Sequence, residues 1–160
     1  MYKLDIVTDE SGNEVVLLPE IIFSNKQNIN WNDVEDYLGK YVGELIEIAE
    51  TRDIIYIGNK FPDEYGGSSY TRKTKGARAK AKANAAQGIR EMVEIATDKV
   101  YRENHKEKHS EDAHNGWFYY VTRYAIPLYN NEKKTGEYIS WFCPRTYGRP
   151  VCEQYYYIKS

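Results

Sequence analysis

Trp117-Phe118-Tyr119-Tyr120-Val121-Thr122-Arg123-Tyr124-Ala125-Ile126-Pro127-Leu128-Tyr129 decides the fold. One alternate set holds Phe118, Tyr120, Thr122, Tyr124, Ile126 and Leu128, and the run is rich in aromatic and β-branched residues. A period of two in such residues predicts a long strand with one face in a core. Glu137 to Arg145 and Val151 to Lys159 read as further strands, with Asn130 to Gly136 and Pro144 to Pro150 as turns. Short connections of this kind join antiparallel neighbours.

Upstream the period changes. Tyr70 to Gln87 reads as a helix on which Thr74, Ala77, Ala81, Ala85 and Gly88 share one narrow stripe. The small residues predict close packing on the strands. Arg72, Lys73, Lys75, Arg78, Lys80 and Lys82 cover the remaining surface and are expected to fan outward. Ile89, Met92, Val93 and Ala96 continue a helical period beyond Gly88, although Val93 and Ile95 also permit a strand. His105 to Asn115 is polar, a loop or short helix.

The first third reads as a hairpin, a helix and a second hairpin. Tyr2, Leu4 and Ile6 alternate with polar residues, Glu10-Ser11-Gly12-Asn13 is turn chemistry, and Val15 to Leu18 returns. Pro19 to Asn30 is expected as a loop. Val34, Tyr37, Leu38 and Tyr41 form one helical stripe, capped by Asn30 or Asn32 and ended between Gly39 and Gly43. Glu44 to Gly58 reads as a hairpin that pairs Leu45–Ile48 with Ile54–Ile57, although Glu and Leu also permit a helix for its first half, and Phe61 to Ser69 is expected as a loop. The reading is thus one α+β domain over residues 1–160. An antiparallel sheet of C-terminal strands packs on helices, with an N-terminal hairpin and helix. At 160 residues the chain is long enough for one core and short for two.

A net charge of −2 hides an asymmetry. Residues 1–69 form an acidic region, and up to Tyr70 there are 5 Lys and Arg against 14 Asp and Glu, a local −9. Residues 71–90 carry seven bases and no acid, a local +7, while 91–160 balance at ten each. Ordinary surface helices mix signs to gain pairs four residues apart. An acid-free cationic block instead suits a polyanion, because each neutralised phosphate releases counterions. An acidic protein partner and a plain solvated face are the other readings. Aromatics at 14%, mostly through 16 tyrosines, add rings that either pack in the core or stack on bases. Arg145 and Arg149 flank Tyr147 in a turn, a further nucleic-acid contact or a solvated hairpin tip.

No run reaches the ~18 apolar residues of a membrane span. The start Met1-Tyr2-Lys3-Leu4-Asp5 lacks the pattern of a signal peptide, so a cytoplasmic location is expected. Cys143 and Cys152 are too few for a disulfide framework, and free thiols are expected over a cross-strand bridge. No phosphate loop, dinucleotide glycine pattern or nucleophile elbow is present, and no cofactor is expected. His105 and His109 stand four apart, but Lys106 follows the first where a zincin has Glu, and Lys106 and Lys108 repel a cation, so no metal site is expected. Histidine among cations suits metal-independent RNA cleavage instead. One group deprotonates the 2′-hydroxyl, another protonates the leaving oxygen, and cations stabilise the phosphorane. His109, Lys108, Arg123 and a tyrosine can fill those roles; the same loop also reads as polar surface.

Phe61-Pro62-Asp63-Glu64-Tyr65, Tyr70-Thr71-Arg72-Lys73, Lys80-Ala81-Lys82-Ala83-Asn84-Ala85-Ala86-Gln87-Gly88-Ile89 and Glu94-Ile95-Ala96-Thr97 carry a resemblance. So do Glu103-Asn104, Lys108-His109, and Gly116-Trp117-Phe118-Tyr119-Tyr120 through Arg123-Tyr124-Ala125-Ile126-Pro127. Over residues 45 to 129 the chain resembles domains of large polyvalent proteins from phages and conjugative elements. Those are similar to the barnase–EndoU–colicin–RelE nuclease superfamily. The resemblance implies helices preceding a four-stranded antiparallel sheet and metal-independent cleavage of RNA, in a bacterial host cell. It places His109, Lys108, Arg123 and Lys82 near the site. The stretch Ile139 to Ser160 departs from the pattern, with Cys143-Pro144-Arg145 and Arg149-Pro150. Small phage proteins are also often inhibitors of host defence, including anti-CRISPR proteins, and a charge-polarised chain suits binding to a protein–RNA effector. RNA, or such an effector, is therefore the expected partner.

Overall fold

A computed structural model describes residues 3–24, 28–67, 76–102, 117–127, 129–130, 133–134, 141–142 and 152–159, with side chains through 3–24, 28–67, 79–101 and 118–127. The elements are β1 (Ile6–Thr8), β2 (Glu14–Leu17), α1 (Trp31–Leu38), β3 (Leu45–Glu47), β4 (Ile54–Tyr56), α2 (Phe61–Gly67), α3 (Gly76–Ala85), α4 (Ile89–Glu94), β5 (Thr97–Arg102), β6 (Trp117–Pro127), β7 (Tyr129–Asn130), β8 (Lys133–Lys134), β9 (Trp141–Phe142) and β10 (Cys152–Lys159). The architecture is α+β, as the periodicities predict. No helix among the described residues is long and apolar enough to cross a membrane.

β6 is the spine of the sheet. β5, β9 and β10 all pair with it antiparallel. Val121 has partners in both Thr97 and Tyr155, so β5 and β10 lie on opposite edges of β6. The N-terminal hairpin joins the same sheet: Val16 pairs with Ile6 on one side and, parallel, with Tyr124 on the other. That position explains the composition of β2. Val15, Val16, Leu17 and Leu18 are all buried, as expected of an apolar run covered on both faces. Asp9 shapes the turn before it, its Oδ1 accepting from the Ser11 and Asn13 amides at 2.9 Å.

The alternate faces of β6 have different neighbours. Tyr120, Tyr124 and Ile126 belong to the clusters that contain the helices, and the Thr122 hydroxyl donates to the Met92 carbonyl at 2.6 Å. On the other face Ala125 packs with Val15 and Leu17, and Tyr119, Val121 and Arg123 are half-buried.

α1 starts where Asn30 Oδ1 accepts from the Asn32 amide, and it buries Trp31, Val34 and Leu38. Gly43, at φ 92°, turns the chain into β3. β3 and β4 pair antiparallel, with Ile46, Ile48, Ile55 and Ile57 inward.

Two expectations change. Phe61–Gly67 is helix rather than loop. Pro62 falls in the first turn, where its missing N–H costs nothing, and Asp63 and Glu64 favour the positive end of the dipole. Its glycine is needed for packing: a Cβ on Gly66 would lie 2.9 Å from Glu35 Cγ of α1. The second change concerns α3, which is buried on two sides instead of one. Ala81 and Ala85 pack toward Val16, Met92 and Tyr124, while Ala79 and Ala83 pack toward Trp31, Leu38 and Tyr120. The helix is a wedge between two clusters, and alanine is the residue that lets both approach. Cations among such alanines do not all fan outward, and Lys80 and Lys82 are half-buried.

Candidate nucleic-acid interface

Lys82 points back along its own protein. Its Nζ lies 5.0 Å over the Tyr65 ring, and the Tyr65 hydroxyl donates to the Lys82 carbonyl at 2.6 Å. Burial pushes its ammonium pKa down from the usual lysine value. Lys80, two residues earlier, is half-buried with its carbonyl accepting from Asn84 Nδ2 at 2.7 Å. The backbone at Arg78 belongs to α3, and Arg72, Lys73 and Lys75 lie outside the described residues.

Arg123 is elsewhere. Side chains alternate along a strand, so Arg123 issues from the β6 face opposite the one on which Ala81 and Ala85 pack. In register, Arg123 stands opposite Glu153 of β10, with Tyr155 opposite Val121 and Tyr157 opposite Tyr119.

His105, Lys108 and His109 fall between Arg102 and Trp117, which are register partners, and lie outside the described residues, as do Arg145 and Arg149.

Two polar junctions have no local signal in the sequence. At the first, the Tyr120 hydroxyl, on a residue only 3% exposed, donates to Asp53 Oδ2 at 2.5 Å. Lys99 Nζ donates to the same oxygen at 2.8 Å and lies 4.6 Å over the Phe118 ring. The Lys99 and Tyr120 hydrogen bonds hold the Asp53 carboxyl at about 2, below the usual 3.8. Burial, then the bond to Asp53, raises the Tyr120 phenol. A carboxylate held so low is a poor general base near neutrality. Its role is to tie the β3–β4 turn to β5 and β6. The backbone there is unusual, with Arg52 at φ 66° and Asp98 at φ 58°, both rare for residues with a side chain. The β5–β6 register also shifts between Thr97 and Val100.

Asn84 is the second junction. It is fully buried on α3, and its Oδ1 accepts from the Ile22 and Phe23 amides at 2.8 and 3.0 Å. Its Nδ2 donates to the Phe23 carbonyl at 2.9 Å. One side chain thus replaces a strand partner for the segment after β2. A scan of protein-family models, a search of curated proteins and a search of solved structures each give no significant match.

Proposed function

We propose that this protein is a nucleic-acid-binding domain from a phage or mobile element that prefers RNA over DNA and cleaves it without a metal ion. The observation that carries the reading is the order and pairing of elements. Helices α1 to α4 precede β5, β6, β9 and β10, and the three others all pair antiparallel with β6. These four strands support the helices-then-antiparallel-strands order that the resemblance to the barnase–EndoU–colicin–RelE superfamily implies, while the β1–β2 hairpin, with β2 parallel to β6, is an addition to it. The acid-free cationic run from Arg72 to Arg90 supports a polyanionic ligand.

In this reading the substrate's own 2′-oxygen attacks the adjacent phosphorus as His109 takes its proton. The bond to the 5′-oxygen breaks, and that oxygen is protonated as it leaves. Lys108 and Arg123 offset charge on the phosphorane. The cations at Arg72, Lys73, Lys75, Arg78, Lys80 and Lys82, with Arg145 and Arg149, hold flanking phosphates. The protein acts in the bacterial cytoplasm.

Single-stranded RNA incubated with the protein in EDTA should yield 2′,3′-cyclic phosphate ends, while DNA, which lacks the attacking hydroxyl, should survive. His109→Ala should abolish cleavage and leave binding nearly intact. Cleavage that persists in His109→Ala overturns the site assignment. RNA left intact across several sequences, beside stoichiometric inhibition of a host effector such as a CRISPR nuclease, overturns the enzyme.

A further inference from the structure

Arg90 is the last base of the cationic run, and the structure turns it toward the acidic third of the chain. It is the second residue of α4, and its Nη2 lies 2.6 Å from Oε2 of Glu44, the residue before β3. Only 26% of the Arg90 side chain and 24% of that of Glu44 is exposed. Glu44 Oε2 is closed off from solvent and accepts no hydrogen bond among the described residues. The guanidinium charge beside it is therefore its compensation there. Other contacts hold the same two elements together. The Ala49 amide donates to the Glu94 carbonyl at 2.9 Å, at the far end of α4, and Ile89 shares a cluster with Ile46 and Ile48.

The pairing decides what Arg90 can bind. A phosphate drawn to this guanidinium would sit beside the Glu44 carboxylate, and like charges that close repel. Drawing Arg90 away would leave a buried carboxylate oxygen uncompensated, which is strongly unfavourable. Of the seven bases in residues 71–90, Arg90 is thus spent inside the protein. One acid of the local −9 is spent with it, as a partner for the cationic run and not as a free surface charge.

We propose that Arg90 is the internal counter-ion of Glu44 and that the polyanion interface ends before α4; the second half rests on the nucleic-acid reading above. Binding of a fluorescent single-stranded RNA to the full-length protein is followed by anisotropy between about 50 and 200 mM salt. The double variant Glu44→Gln, Arg90→Gln removes one charge of each sign, so the net charge stays at −2. Its log–log slope should match that of wild type, whereas Arg78→Gln should lower the slope by about 0.7. Melting is the second readout. Arg90→Gln alone should lower Tm further than the double variant does, because only the single variant strands the carboxylate. A slope for the double variant reduced as in Arg78→Gln would overturn the proposal. So would a Tm for Arg90→Gln equal to or above that of the double variant. RNA that does not bind wild type would instead overturn the nucleic-acid reading, and the order of the Tm values would still decide whether Arg90 serves Glu44.

Discussion

Asn84→Ala tests whether one buried carboxamide holds the segment after β2 in place. Asn84 makes three hydrogen bonds to Ile22 and Phe23, at 2.8, 3.0 and 2.9 Å. A fourth, to the Lys80 carbonyl within its own helix, adds little to docking. At about 1 kcal/mol net for each neutral bond, the three are worth about 3 kcal/mol. Alanine returns about 0.5 kcal/mol through its better helix propensity. The expected loss is therefore about 2.5 kcal/mol, read from urea denaturation with the slope unchanged. The loss should also be local. Phe23 meets Tyr37 edge-on at 5.7 Å and packs against the cluster of Trp31 and Val34, so the segment keeps one anchor. Hydrogen exchange at the Ile22 and Phe23 amides should accelerate more than exchange in β6. Asn84→Asp should be worse than Asn84→Ala, because it keeps the acceptor, loses both donated bonds and buries a charge. A loss below about 1 kcal/mol, with the two amides as protected as before, would refute the assignment.

The Asp53 carboxyl binds its proton more weakly in the folded protein than in the unfolded chain, so its contribution is complete above about pH 5 and is lost as pH falls through 4 toward 2. The urea midpoint of wild type should drop over that window, and Asp53→Asn should flatten the drop. Tyr120→Phe removes the phenol donor and should cost about 1–2 kcal/mol by the same assay. Asp53→Ala should cost more, because it removes the acceptor shared by the Tyr120 hydroxyl and Lys99. Lys82 is shifted the opposite way by burial, so holding its charge costs stability below the lowered pKa and that cost fades as pH rises toward the ordinary lysine value. Lys82→Met should therefore raise the midpoint at pH 7, and its advantage over wild type should shrink near pH 10.

Periodicity carried most of the element order. β6 and the first hairpin are legible because Phe118–Ile126 and Leu4–Ile6 alternate and turn residues precede Val15–Leu18, while the second hairpin is readable from its two apolar segments although Leu45–Ile48 also permits a helix. The helix at Phe61–Gly67 is not, because Gly66 and Gly67 have the composition of a loop, and it takes the close approach of Glu35 from α1 at Gly66 and of Asp63 within the helix at Gly67 to explain them. Nor is the parallel pairing of β2 with β6. A hairpin sequence specifies its internal register and leaves open which other strand its free edge will meet. The four-residue buried run Val15–Leu18 was the available sign that β2 is covered on both faces.

The same limit governs the candidate site. A wheel drawn for α3 assigns residues to one buried stripe and one wet surface, which suits a helix packed on a single layer. α3 packs on two, so Ala79 and Ala83 become interior and the neighbouring Lys80 and Lys82 are drawn partly inside with them. Lys82 then sets its Nζ against the Tyr65 ring, a contact that no helical or strand period encodes. The Asp53–Lys99–Tyr120 junction is separated by 46 and 67 positions along the chain, and Asn84 meets Ile22 across 62. Contacts of that separation are set by how layers stack, after each layer has formed. The polar residues that fix the frame are thus the ones the sequence conceals, while the cations that suggest function are read at once, as charge needs no partner to be visible.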